Sequence, residues 1–139
     1  MLDTSMAILV VDDSPTMVRI TRQLLQQLDL KNVDDAIGGN SALGKLRAKR
    51  YDLVISDWIM EPMTGLDLLK EVRADPKLDK TPFIMVTGEA HADKVIAAKK
   101  AGVSNYIVKP FNAKTLYSKI EAVFGAGQTK QGVGLVVLD

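Results

Sequence analysis

The chain has 139 residues, 47% of them apolar and 25% charged, which suits one globular domain of ordinary composition. It has no cysteine and a single histidine, so disulfide frameworks, thiolate metal sites, cysteine nucleophiles and histidine clusters are excluded. With 18 basic against 17 acidic residues the net charge is +1, without the basic excess of a nucleic-acid binder or the imbalance of a disordered tail.

Short apolar runs alternate along the chain with longer segments of helical period. Residues 7–11 (AILVV) read as a fully buried strand stopped by Asp12-Asp13. Ser14-Pro15 then looks like a helix cap followed by proline at the first helical position, and the helix runs to about Leu28. Residues 33–37 form a weak, polar second strand, suited to a sheet edge. A helix of mixed polarity follows from about Asn40 to Lys49. Residues 53–56 (LVIS) are a third strand ending at Asp57, and Leu66, Leu69 and Val72 mark a third helix that stops at Asp75-Pro76. Residues 83–86 (FIMV) are a fourth strand ending at Thr87-Gly88, followed by a helix from about Ala92 to Ala101. Residues 105–108 (NYIV) are a fifth strand ending at Lys109-Pro110, and the last helix spans about Ala113 to Phe124 with Asn112 as its cap. Five strand–helix units in succession predict an α/β fold with a five-stranded parallel sheet covered on both faces, a doubly wound three-layer sandwich.

The domain is expected over residues 6–124. Residues 125–139 hold four of the ten glycines and end in an apolar Leu-Val-Val-Leu run, which reads as a flexible Gly-rich tail. The first residues carry no positive cluster, and the apolar run 6–11 is too short for a signal segment or a membrane span, so a cytoplasmic protein without membrane insertion is expected.

The chemistry-bearing residues stand at the strand ends: Asp12 and Asp13, Asp57, Thr87, and Lys109. In an open parallel sheet, ligands bind beyond the carboxyl ends of the strands, so these residues should meet in one crevice. Converging carboxylates repel unless a proton or a cation neutralises them. Oxygen donors without histidine or cysteine favour Mg²⁺. An aspartate beside such a metal can attack phosphorus, and Lys109 and the Thr87 hydroxyl could hold the new phosphoryl oxygens.

The motifs VVDDS (10–14), VISDW (54–58), GLDLLKEVRAD (65–75), MVTGEA (85–90) and YIVKPF (106–111) together resemble the receiver domain of two-component response regulators, most closely its chemotaxis members. The resemblance implies the strand order 2-1-3-4-5 known for flavodoxin-like sheets. It implies that Asp57 accepts a phosphoryl group from a sensor histidine kinase. It further implies that Asp13 and Asp57 bind Mg²⁺ with the main-chain carbonyl of Ile59, that Asp12 holds metal-bound water, and that Lys109 and Thr87 contact the phosphoryl group. Tyr106 would couple the site to a partner face that includes Ala90, Val95, Lys99, Val108 and Lys119. Lys109-Pro110 is expected to be cis. The implied output partner is a flagellar switch protein, with relay to a histidine phosphotransfer protein as the alternative, and a monomer is expected. Where the family commonly has proline four positions after the acceptor, this chain has Glu61 and then Pro62. Ile59 replaces a polar residue, and with Glu89 it would lie over the phosphoryl group.

Two other classes share part of this pattern. A haloacid-dehalogenase phosphatase also uses a strand-end aspartate but wants D-x-D, whereas Ile59 stands two after Asp57. A flavodoxin-like nucleotide binder wants a hydroxyl- and glycine-rich loop after the first strand, where this chain has Asp12-Asp13.

Overall fold

Five parallel strands, β1 (Ile8–Val11), β2 (Val33–Ala36), β3 (Leu53–Asp57), β4 (Phe83–Thr87) and β5 (Asn105–Val108), pair in the order β2-β1-β3-β4-β5 in a computed structural model that describes residues 2–88 and 92–129. Five helices connect or follow them: α1 (Pro15–Gln27), α2 (Gly39–Ala48), α3 (Gly65–Ala74), α4 (Ala92–Ala101) and α5 (Ala113–Thr129). The doubly wound α/β architecture is the one expected, and the polar second strand lies at the sheet edge.

The sheet is buried on both faces because its strands are apolar at consecutive positions. Alternation then splits their side chains between two cores. Leu9, Val11, Val54, Phe83 and Met85 pack with Leu43 and Leu46 of α2 and Leu68, Leu69 and Val72 of α3. Ile8, Val10, Ile55, Ile84 and Ile107 pack with Leu25 of α1 and Leu116 and Ile120 of α5. Burying an aliphatic side chain of this size contributes roughly 1.5–3 kcal/mol, so these two layers dominate the stability of the fold.

The helix starts follow local chemistry. Ser14 caps α1 by accepting from the Met17 amide at 3.2 Å, with Pro15 at the first turn. Thr64 and Asp67 form a reciprocal capping box on α3, with bonds of 3.1 and 3.2 Å. Asn112 caps α5 through its side-chain oxygen, which accepts from the Thr115 amide at 2.8 Å.

The ends of β3, β4 and α5 differ from the sequence reading. Strands β3 and β4 each extend one residue further, so Asp57 and Thr87 belong to the sheet and pair with Val86 and Val108. Helix α5 continues to Thr129, past the expected end at Phe124, through Gly125 and Gly127. Glycine inside a helix costs only about 1 kcal/mol, and Ala126 between these glycines and Gln128 after them are good helix formers. The tail expected over 125–139 therefore begins inside this helix, and residues 130–139 lie outside the described residues. No helix of the described residues is long and apolar enough to cross a membrane.

One close approach fixes the site end of the sheet. The Gly65 amide donates to the Trp58 carbonyl at 2.8 Å, which draws the start of α3 against the end of β3. A Cβ at Gly65 would run into the Asp57 carbonyl and the Met85 sulfur. Gly65→Ala is expected to lower unfolding free energy by roughly 1–3 kcal/mol. Gly44→Ala, with open space around it in α2, is expected to leave stability unchanged or raise it by up to about 1 kcal/mol. Thermal or denaturant unfolding of the two variants checks this, and equal midpoints would refute the close-approach argument.

Candidate functional site

The sheet register sets the acidic and basic side chains in phase. Val10 pairs with Ile55, and Val86 pairs with Ile107, all facing the α1/α5 core. Asp12, Asp57 and Lys109 each follow one of these residues by two positions, so strand alternation places them on that same side of the sheet. The ladder continues beyond the strand ends to hold them there. Asp12 N donates to the Ala36 carbonyl at 3.2 Å, Trp58 N to Val86 at 2.8 Å, and Lys109 N to Thr87 at 2.7 Å.

The result is a cluster at the carboxyl edge of the sheet. Asp12, Asp13 and Asp57 each offer a carboxylate oxygen within 4.8 Å of the others. Asp12 and Asp57 are buried, at 6% and 7% exposure, while Asp13 faces solvent. The Lys109 ammonium lies 2.9 Å from Asp57 Oδ1. Thr87 is buried at the end of β4. All five strand-end residues singled out in the sequence thus stand on the sheet edge where the reading placed them.

Among the described residues, three carboxylates meet the Lys109 ammonium, so this cluster carries surplus negative charge. Two carboxylate oxygens at 4.8 Å repel by roughly 3–4 kcal/mol at an effective dielectric of about 20. At Asp12 this repulsion adds to a larger effect of burial. Burial holds its carboxyl above the ordinary carboxylate range, the Ser14 amide at 3.0 Å pulls the other way, and the Asp57 charge pushes it up further. The donor set fits Mg²⁺: oxygen atoms only, with one ligand reachable from solvent for retained waters.

Further residues surround the cluster. Trp58 is half-buried beside Asp57, and the Lys94 ammonium sits 5.4 Å from its ring centroid. No sequence pattern signals this pairing, because the two residues are distant in the chain. Ile59 is 65% exposed at the mouth of the site, and Glu61 is exposed as well. Glu61-Pro62 and Lys109-Pro110 are both cis, the second as expected. Glu89, Ala90 and His91 lie outside the described residues.

The residues expected at a partner face lie on and around β5 and on α4. Tyr106 is half-buried against the α2/α3 core, and the Lys119 ammonium lies 5.7 Å from its ring centroid. Val108 shares the strand face of Tyr106 and is 38% exposed. On α4, Val95 is half-buried and Lys99 exposed, one turn apart.

The family described as response regulator receiver domain matches residues 8–121. The chemotaxis protein CheY of Pseudomonas aeruginosa is 48% identical over 119 residues, covering 86% of this chain and 96% of that protein. CheY-3 of Vibrio cholerae is 46% identical over 123 residues, covering 88% and 95%. Among solved structures, chemotaxis protein CheY4 of Vibrio cholerae is similar with a TM-score of 0.80 at 34% identity, covering 86% of this chain and 98% of that one. The signal receiver domain of a histidine kinase from Syntrophus aciditrophicus is similar with a TM-score of 0.79 at 26% identity, covering 96% and 98%. Receiver domains bind Mg²⁺ at an acidic pocket, and here that pocket corresponds to Asp12, Asp13 and Asp57.

The raised Asp12 carboxyl has a measurable consequence. A native state that binds this proton more tightly than the unfolded chain loses stability as pH rises from the ordinary aspartate value through the raised one. Asp34 contributes in the opposite sense. Its hydrogen bond from Tyr51, followed by that from Lys49, lowers its value, so its contribution is lost only below the ordinary range. The metal-free chain is therefore expected to lose part of its stability above that range, and Asp12→Asn should remove the loss and raise the melting temperature near neutral pH. Melting curves against pH in the presence of a chelator check this; a variant less stable than the parent at pH 7 would contradict it.

Proposed function

The chain belongs to the response regulator receiver domain family, and from that premise we propose that it is a phosphorylation-controlled docking protein of chemotaxis signalling, with Asp57 as its phosphoacceptor. The observation that carries this reading is the buried Asp57 held 2.9 Å from Lys109 inside a ring of carboxylates at the sheet edge. The family is one of phosphoacceptor switches, and the chain is closely related to CheY proteins over most of its length.

In the proposed reaction an Asp57 carboxylate oxygen attacks the phosphorus of a phosphohistidine. The new O–P bond forms as the N–P bond breaks, and the departing imidazole nitrogen keeps the electron pair and later takes a proton from water. The product is an acyl phosphate on Asp57 and a neutral histidine on the donor. Mg²⁺ would be held by Asp13, Asp57 and the Ile59 carbonyl, with Asp12 holding its water, and would supply charge neutralisation to the transferred group. Lys109 orients the Asp57 carboxylate before transfer and offers its ammonium to a phosphoryl oxygen afterwards. Thr87, buried at the end of β4, offers its hydroxyl to the same group. Hydrolysis of the acyl phosphate returns the carboxylate.

A phosphoryl group shifts an equilibrium only by its preference for one of two states. We assign Tyr106 to the switching element, since it joins the α2/α3 core on one side and Lys119 on the other. Val95, Lys99, Val108 and Lys119 belong to the proposed docking face, together with Ala90, which lies outside the described residues. CheY-like receiver domains interact with histidine kinases and flagellar switch proteins. Here a sensor histidine kinase is the proposed donor and a flagellar switch protein the proposed target, for a cytoplasmic monomer built as one receiver over residues 6–124.

Incubation with a small phosphodonor and Mg²⁺ is expected to add one phosphoryl mass to the intact chain. The gain should vanish in Asp57→Ala and with chelator, and fall sharply in Asp13→Asn. A gain that survives Asp57→Ala would overturn the assignment, and turnover of free phosphomonoesters would favour a phosphatase instead. Ile59 places an exposed aliphatic chain where a polar group could hydrogen-bond the attacking water. Ile59→Asn is expected to shorten the acyl-phosphate lifetime several-fold, read by the decay of the added mass. An unchanged lifetime would remove that role.

A further inference from the structure

Trp58 and Lys94 meet beside the acidic site in a way that the helix carrying the lysine does not explain. Lys94 stands in the first turn of α4, two residues after its start at Ala92. That turn carries the positive end of the backbone dipole, so a cation there is disfavoured, whereas Asp93 just before it has the favoured sign. Lys94 is half-buried, and its ammonium lies 5.4 Å from the Trp58 ring centroid, within the range of a cation–π contact.

The sheet register sets what lies next to this pair. Asp57 pairs with Val86, and the Trp58 amide carries the ladder one step on by donating to the Val86 carbonyl at 2.8 Å. Trp58 and Thr87 are therefore neighbours on adjacent strands, which run about 4.8 Å apart. Trp58 packs against the α2/α3 core, and Thr87 follows Met85 of that core by two positions, so both side chains take that side of the sheet. The Lys94 ammonium is thus held on the Thr87 side of the cluster, while Lys109 approaches Asp57 from the α1/α5 side.

Charge decides what the second cation is for. Lys109 and a bound Mg²⁺ would bring the three carboxylates to neutrality. Converting the Asp57 carboxylate to an acyl phosphate adds about one further negative charge. A hydrogen bond from an ammonium to an ionised phosphoryl oxygen is stronger than contact with an aromatic face open to water. We propose, on the reading of Asp57 as the phosphoacceptor, that Lys94 is a further cation of the phosphorylated site. It rests on the Trp58 ring before transfer, and its ammonium donates to a phosphoryl oxygen on the Thr87 side afterwards.

Trp58 is the single tryptophan of the chain, so its emission reads this contact. The full-length parent, Lys94→Met, Lys94→Arg and Lys100→Met are each held in Mg²⁺ and given a small phosphodonor, with the added phosphoryl group counted by intact mass. Lys100→Met removes an exposed lysine from the last turn of the same helix and serves as the control. Phosphorylation is expected to change Trp58 emission in the parent, in Lys100→Met and in Lys94→Arg, whose guanidinium keeps both the charge and the ring contact. Lys94→Met is expected to lose most of that change at equal phosphoryl mass, and to gain the mass about three- to tenfold more slowly than the parent. Unchanged emission in the phosphorylated parent, the full change in Lys94→Met, or an equal loss in Lys100→Met would overturn the role of Lys94 while leaving Asp57 as the acceptor. No mass gain in the parent would overturn the phosphoacceptor reading, and the role of Lys94 with it.

Discussion

The structure turns on a charge imbalance that the fold holds in place. Asp12, Asp13 and Asp57 bring three carboxylates together, and Lys109 answers only one of them directly, at 2.9 Å from Asp57. In water such groups would move apart. Here two of the three are buried and fixed by backbone ladders, and the Asp12 carboxyl is raised first by that burial and then by the Asp57 charge beside it. A site of this kind is disposed to accept a divalent cation, and the paired, buried Asp57 is then set beside it as the natural nucleophile. The same lysine that balances the carboxylate beforehand can follow the charge onto a phosphoryl group.

The rest of the chain is what makes that arrangement affordable. Two aliphatic layers clamp the sheet from both faces, so the strand ends cannot drift. The register puts Asp12, Asp57 and Lys109 on one side of the sheet, and Gly65 lets α3 close against the Asp57 carbonyl. Further from the site, Arg73 of α3 donates to the carbonyls of Gly102, Asp79 and Thr81, which ties the end of α4 to the connection before β4. These bonds join the end of α4 to α3, and the Gly65 amide joins α3 to the Trp58 carbonyl in the loop that follows Asp57. Lys94 stacked on Trp58 adds a second, shorter link between α4 and the same loop.

Much of this was legible in the residues themselves. Fully apolar runs stopped by Asp57, Thr87 or Lys109 fix both the strands and the polarity of their ends, because a buried parallel strand tolerates charge only where it leaves the core. The caps at Ser14 and Asn112 were readable for the same local reason. What the residues did not disclose depends on distant partners. Strand β3 includes Asp57 because β4 pairs one residue beyond the apolar run. The Asp34 carboxylate accepts from Tyr51 at 2.6 Å and Lys49 at 3.0 Å, and burial and that bond push the Tyr51 phenol up to about 12, yet neither spacing forms a motif. Helix α5 passes Gly125 and Gly127, since no proline or opposing cap stops it.

The most direct test of the central charge argument is the Mg²⁺ affinity of the parent chain against Lys109→Met, measured by calorimetry or Trp58 fluorescence at fixed ionic strength. If surplus carboxylate charge makes the site, removing the Lys109 ammonium must tighten Mg²⁺ binding while abolishing stable phosphorylation. Equal or weaker Mg²⁺ binding in Lys109→Met would contradict the account, because the cluster would then owe its metal affinity to something other than its charge.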